Sequence, residues 1–243
     1  MKFITESALD HKLDFVCAFH RAIDFERWWF NDKKIHTVHR LNHKTRRECE
    51  KNYTPVGSID FVREHLLYHF GKVPKPINVP EELFPYAGRY ITNGTDQTHY
   101  VLSCGAVHLK SNDEIKGYST VIYHQDVVPN VVPAGNYQTS SLEEVISEWR
   151  VFVYDNHVID VRHYDGDWSV TPDISTIHSM IGAYKSAPKA YCLDVYINAF
   201  KQRTCVMEVN HFFSCGLYGW DNPNAYLKML TGWYQWFIRG ENI

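Results

Sequence analysis

Between residues 71 and 85 the chain reads GKVPKPINVPEELFP, and this stretch restricts the architecture more than any other. Pro74, Pro76, Pro80 and Pro85 lack a backbone N–H and fix φ, so neither a regular helix nor a central strand can run through them. The chain is thereby split into an N-terminal stretch of mixed helix and strand and a longer, β-rich remainder. With 243 residues, 44% of them hydrophobic, there is room for one large or two small cores. No internal repeat or low-complexity tract is visible.

Before the prolines, Ser58 caps a helix through Ile59, Val62, Leu66 and Phe70, with Pro55 and Gly57 as the preceding turn. Upstream, KIHTVHRLNHKTRR sets His36, His39 and His43 at helical i, i+3, i+7 spacing beside Lys44, Arg46 and Arg47. This pattern reads as a solvated basic face; a metal site and a substrate-anion site are the alternatives, and no carboxylate or cysteine completes a metal set at useful spacing.

After the prolines, HYVLSCGAVHLK and YSTVIYHQDVV read as strands. Residues Trp149 to Tyr154 and His157 to Tyr164 form a hairpin around Asp155 and Asn156, both tolerant of left-handed backbone angles. Thr171 and Pro172 start a helix with Ile174, Ile177, Ile181 and Tyr184 on one face. A second strand pair, Tyr191 to Ala199 and Thr204 to Asn210, precedes a last helix carrying Tyr226, Leu230, Trp233 and Phe237. The expected class is α+β.

A net charge of −3 gives no global attraction to nucleic acid or anionic membrane, so neither is an expected partner. Glu6, Asp10 and His11 interrupt the place of a signal-peptide core, and no run approaches the ~20 apolar residues of a membrane span. A cytoplasmic location is expected. Cys17, Cys49, Cys104, Cys192, Cys205 and Cys215 show no CxxC spacing and read as reduced thiols.

Several polar residues fit an apolar strand poorly. Asp194 lies among Leu193, Val195 and Ile197, and Glu208 between Met207 and Val209. Isolated buried carboxylates are expensive, so the two want a cation between them or a paired Arg or Lys. Asn210 follows Glu208 by two residues and shares its face of the sheet. Such an oxygen-only set suits magnesium, which completes its shell with water and phosphate; strand-end residues bonded to loops are the bland alternative. Arg150 stands in the apolar strand EWRVFV, where it pairs with a carboxylate or clamps a phosphate. Lys110 and Lys116 flank the turn SNDEI; surface charge is one reading, and with Arg150 and the acids a triphosphate site is the other.

EWRVFV, AYCLDVYI and MEVNHFFSCGLYG resemble the C-terminal half of the ATP-grasp superfamily, whose last strands carry an Asp and then Glu-x-Asn for magnesium. HLKSNDEIKGYSTVI further resembles the small bacterial and phage clade of that superfamily named for an arginine and two lysines, and the likeness runs from about Gly57 to Trp236. The resemblance implies an α+β ATP-grasp fold of two lobes, 81–140 and 141–243, behind a short α/β substrate-side region, 1–80. It also implies ATP and Mg2+ as cofactors, with Lys110 at the end of its strand, Lys116 opening the next, and Arg150 on the transferred phosphate. Glu143 and Glu144 are the hinge acids, either of which could hold the ribose, and Asp194, Glu208 and Asn210 are the metal ligands. Two departures stand out: Ser111 follows Lys110 where proline is common, and His211 follows Asn210 where an acid is frequent. The implied activity is ligation of a carboxylate to an amine or thiol, on a small molecule or peptide, through an acyl phosphate. A catalytically inactive nucleotide-binding interaction protein and an ATP-dependent enzyme acting on RNA are the competing readings.

Overall fold

A computed structural model describes residues 1–6, 14–41, 51–94, 106–123 and 132–240. His43, Lys44, Arg46, Arg47, Cys49 and Cys104, and parts of two expected strands, lie outside them. The N-terminal part is a parallel sheet of β1 (Lys2–Glu6), β2 (Thr37–Leu41) and β3 (Thr54–Val56) in the order β2-β1-β3, with α1 (Asp14–Trp29) and α2 (Ile59–Phe70). Ser58 is indeed the cap of α2, accepting from the Phe61 N–H, and Gly71 ends the helix in the left-handed conformation.

Two expectations fail here. Pro55 is within β3 and not in a turn; β3 is an edge strand, where a missing N–H is tolerated. His39 is in strand β2, so the helical spacing of the histidines is not realised; His36, just before it, turns its ring into the interior, 2.6 Å from Glu26.

After the prolines, which adopt a 3-10 turn only at Glu81–Tyr86, two antiparallel sheets follow. The smaller has the order β4-β7-β5-β6, from β4 (Ile91–Gly94), β5 (Ala106–Ser111), β6 (Ser119–Tyr123) and β7 (Tyr137–Ser141). The larger has the order β11-β10-β8-β9, from β8 (Val145–Tyr154), β9 (His157–Gly166), β10 (Ala190–Asn198) and β11 (Thr204–His211). Asp155 and Asn156 turn the β8–β9 hairpin with φ of 51° and 61°, as their tolerance of left-handed geometry requires. Helix α3 (Ile174–Ala183) starts later than Thr171: Asp173 is its cap, accepting from the N–H groups of Ser175 and Thr176. Asn222 caps α4 (Pro223–Arg239), with Pro223 at its first turn.

Strand β10 is buried along its whole length because both faces of the large sheet are covered. Tyr191, Leu193 and Val195 meet Ile177, Met180 and Ile181 of α3. Ala190 and Cys192, on the opposite face, join the main core, in which Phe3, Phe19 and Phe61 of the N-terminal part pack with Trp220, Trp233 and Phe237. Asp194 shares that second face by the two-residue period of a strand. No described helix is long and apolar enough to cross a membrane.

Candidate functional site

Three neighbouring strands of the large sheet bring the polar residues together. Asp194 pairs in register with Arg150 on one side and Glu208 on the other, with a bulge directly after Asp194. Arg150 is 5% and Asp194 1% exposed. Their charges meet as a two-pronged ion pair: Arg150 Nε donates to Asp194 Oδ1 at 2.7 Å and Nη2 to Oδ2 at 2.6 Å. A third guanidinium bond, from Nη1, reaches the Gly216 carbonyl at 2.7 Å. Burial disfavours the arginine's charge, yet the hydrogen bonds and charge of Asp194 more than offset it and raise its pKa.

Asn210 ties the two acids together, its Nδ2 donating to Asp194 Oδ2 at 3.1 Å and to Glu208 Oε1 at 2.8 Å. Glu208 in turn is ion-paired with Lys110, which reaches across from β5 of the small sheet. Burial pulls the Lys110 ammonium down to about 8; Asp194 opposes this, and the charges of Arg89 and Arg150 add to it. The site is thus internally neutral, with Lys110 and Arg150 against Asp194 and Glu208.

A cavity of about 270 Å³ opens beside this network, lined by Lys110, Lys116, Arg150, Glu208, Asn210 and Tyr218 among others. Lys116 does not open a strand: β6 begins at Ser119, and Lys116 is an exposed turn residue with φ of 54°. Glu143 and Glu144 are on the three-residue link between β7 and β8 and do not line the cavity. The Glu143 carboxylate accepts from Asn198 Nδ2 at 2.7 Å, and the Glu144 carbonyl accepts from the Ala199 N–H.

His211 is fully committed. Its Nδ1 accepts from Trp233 Nε1 at 3.0 Å and its Nε2–H donates to the Lys75 carbonyl at 2.9 Å, which fixes a neutral tautomer. Burial pulls its pKa down to about 4, against the Lys75 bond.

Sequence reasoning missed two contributors, Tyr164 and Asn78. The ring of Tyr218 lies 4.9 Å and that of Tyr164 5.8 Å from the Arg150 guanidinium carbon, and the two rings stack at 4.7 Å. Tyr164 sits at the far end of the hairpin and only the paired register exposes its role. Asn78, with φ of 53°, is the other. Its carbonyl accepts from the Val209 N–H on β11, and its Nδ2 donates to the Ser111 carbonyl at the end of β5. It therefore clips the strand carrying Glu208 to the strand carrying Lys110. Its only signal was an Asn, tolerant of left-handed angles, between prolines.

Two carboxylates and a carboxamide are chemically suited to magnesium, whose ligands are hard oxygens; here Asn210 turns its amide nitrogen to both acids, so its oxygen would join them only with the amide turned over. No group of three or more His, Cys, Asp or Glu poised for a metal exists among the described residues, so the carboxamide is needed to complete it.

Residues 86–229 match the family described as ATP-grasp domain, R2K clade family 2. Among solved structures, the chain is similar to the ATP-grasp ligase PsnB complexed with minimal precursor, at 10% identity and a TM-score of 0.55, covering 95% of this chain and 99% of that one. It is also similar to D-alanine–D-alanine ligase from Bacillus anthracis complexed with ATP, at 12% identity and a TM-score of 0.53, covering 100% and 99%. A third is N5-carboxyaminoimidazole ribonucleotide synthetase from Thermotoga maritima, at 12% identity and a TM-score of 0.52, covering 95% and 75%. At these identities the likeness establishes the fold. No curated protein matches the chain in sequence.

Proposed function

The chain belongs to the ATP-grasp domain family, R2K clade family 2, and from that premise we propose that it is an ATP-dependent ligase. It joins a carboxylate to an amine or thiol through an acyl phosphate, on a small molecule or a peptide. The nucleotide lies between the two antiparallel sheets, in lobes 81–140 and 141–243, and the N-terminal region 1–80 faces the substrate. The observation that carries this reading is the convergence on one cavity of Lys110 from one sheet and Arg150, Glu208 and Asn210 from the other.

Asp194, Glu208 and Asn210 would hold magnesium. Bound there, the ion would neutralise charge on the phosphate oxygens. Lys110 and Lys116 attract the phosphates, and Arg150 presents its planar fork to the group being transferred. Glu143 or Glu144 serves the ribose from the link between lobes. Because Asp194 and Glu208 already satisfy Arg150 and Lys110, each cation would be free for phosphate once its carboxylate held the metal. Ligand binding is therefore an exchange of partners within a neutral network, with no unpaired buried charge at either end.

The test is magnesium-dependent ADP release, with pooled amino acids and peptides as acceptors and mass spectrometry of any product. Wild-type protein releases ADP and one acceptor gains mass. Glu208→Gln abolishes release while retaining the fold by circular dichroism. Full turnover in Glu208→Gln removes Glu208 from the mechanism, and nucleotide binding without ADP release in wild type favours an interaction protein instead. Arg150→Lys, which keeps the charge and loses the fork, impairs turnover more than nucleotide affinity; equal losses contradict the role given to Arg150.

A further inference from the structure

We infer that Cys192 and Cys215 are an oxidant-driven disulfide site that staples the loop after β11 to the central strand β10. The two sulfurs are 3.0 Å apart and buried, about 1 Å more than the ~2.05 Å of a disulfide, so closing the bond asks for only a small shift. No other sulfur–sulfur contact occurs among the described cysteines: Cys205 Sγ faces the Arg203 carbonyl at 3.7 Å, and Cys17 is on α1.

The surroundings assign the order of events. Cys215 follows the 3-10 turn Phe212–Ser214 and lines the cavity, which gives a small oxidant access to it. Cys192 is 0% exposed, in register with Asn210 and Phe152 on its two neighbouring strands, and does not line the cavity. With hydrogen peroxide, the Cys215 sulfur attacks one oxygen and breaks the O–O bond. A sulfenic acid forms, and the other oxygen leaves as water with the thiol proton. The Cys192 sulfur then attacks the Cys215 sulfur, and the sulfenic hydroxyl leaves with the Cys192 proton as a second water. Two thiols and one peroxide become one disulfide and two waters, and a dithiol reductant reverses the bond by exchange.

The consequence is positional. Gly216, next to Cys215, gives its carbonyl to Arg150, and the Leu217 N–H donates to Asp14 Oδ2 at 2.7 Å. The staple fixes a loop that touches both the buried arginine and the first turn of α1, and it does so whether or not the cavity turns over ATP.

The full chain is treated with hydrogen peroxide, its remaining thiols alkylated with iodoacetamide, and the protein digested without reductant. The expected result is a peptide pair joined through Cys192 and Cys215, lighter by two hydrogens than the separate peptides and lost after dithiothreitol. Cys215→Ser should leave Cys192 alkylatable on unfolding after the same treatment. The inference is overturned if both cysteines of the wild-type protein stay alkylatable, if Cys215 proceeds to sulfinic acid without a joined peptide, or if either joins Cys17 or Cys205 instead. Because the joined peptide is read on the wild-type chain, a variant that fails to fold does not decide the matter.

Discussion

The large sheet and the N-terminal α/β part both bury titratable side chains, and Arg150 with Asp194 in the first and His65 in the second show two opposite means of doing so. On β8 and β10, Arg150 and Asp194 are buried as charges that satisfy each other through two hydrogen bonds. On α2, His65 is 2% exposed with the Tyr234 hydroxyl 3.3 Å from its Nε2, and burial, reinforced by the charge of His69, pulls its pKa down to about 4. The pair keeps its charges and is vulnerable to loss of a partner. The histidine stays neutral and is vulnerable to protons.

The sharpest way to break this contrast is Asp194→Ala. It strands a buried guanidinium, so unfolding in denaturant should show a loss of about 3–5 kcal/mol, and the double variant Arg150→Met with Asp194→Leu should recover most of it. A single variant as stable as wild type would show that the pair is not buried as a charged unit.

Next in size is the response to acid. Below its unfolded pKa of 6.5, His65 takes up a proton in the unfolded chain but not in the folded one, whose pKa is about 4. Stability contributed by this residue therefore falls as pH drops from 6.5 towards 4, by roughly 2 kcal/mol at about pH 5. Urea unfolding at about pH 7.5 and about pH 5 reads it, and His65→Gln should flatten the dependence by that amount; an unchanged slope would mean that His65 is protonated in the fold.

Ser58→Ala removes the α2 cap and should cost about 1 kcal/mol, placing an ordinary local interaction of the N-terminal part well below either buried group. Smallest is Glu208→Gln. Its pair with Lys110 is a quarter to a third exposed, at 25% and 30%, so its effect on stability should remain within about 1 kcal/mol, even though ADP release is lost. A large stability loss there would erase the distinction between the buried pair that holds the sheet and the cavity-facing pair that exchanges partners.

The C-terminal half was the more legible because its signals were local. Asp194 and Glu208 stood out as charges inside apolar runs, and Asp155 and Asn156 announced their hairpin through backbone tolerance alone. Whether the acids wanted a shared cation or an ion pair could not be read from spacing; strand register adds the partner that spacing lacked, setting Arg150 opposite Asp194. The N-terminal half was misread where partners are distant. His36 and His39 match a helical period, yet β2 forms because β1, some 35 residues away, pairs with it in parallel, Lys2 against Thr37. Lys116 was misplaced because residue types around a polar turn do not say how many residues the turn consumes. Asn78 was missed because its two partners come from strands on either side of it in space and far from it in sequence.

Helix α4 packs against α1, and the Tyr226 hydroxyl donates to the Phe15 carbonyl at 2.8 Å. Phe3 and Phe19 thus share a core with Trp233 and Phe237. During synthesis, the face of α1 that meets α4 stays uncovered until roughly two hundred further residues have been made, and the interval invites chaperone engagement.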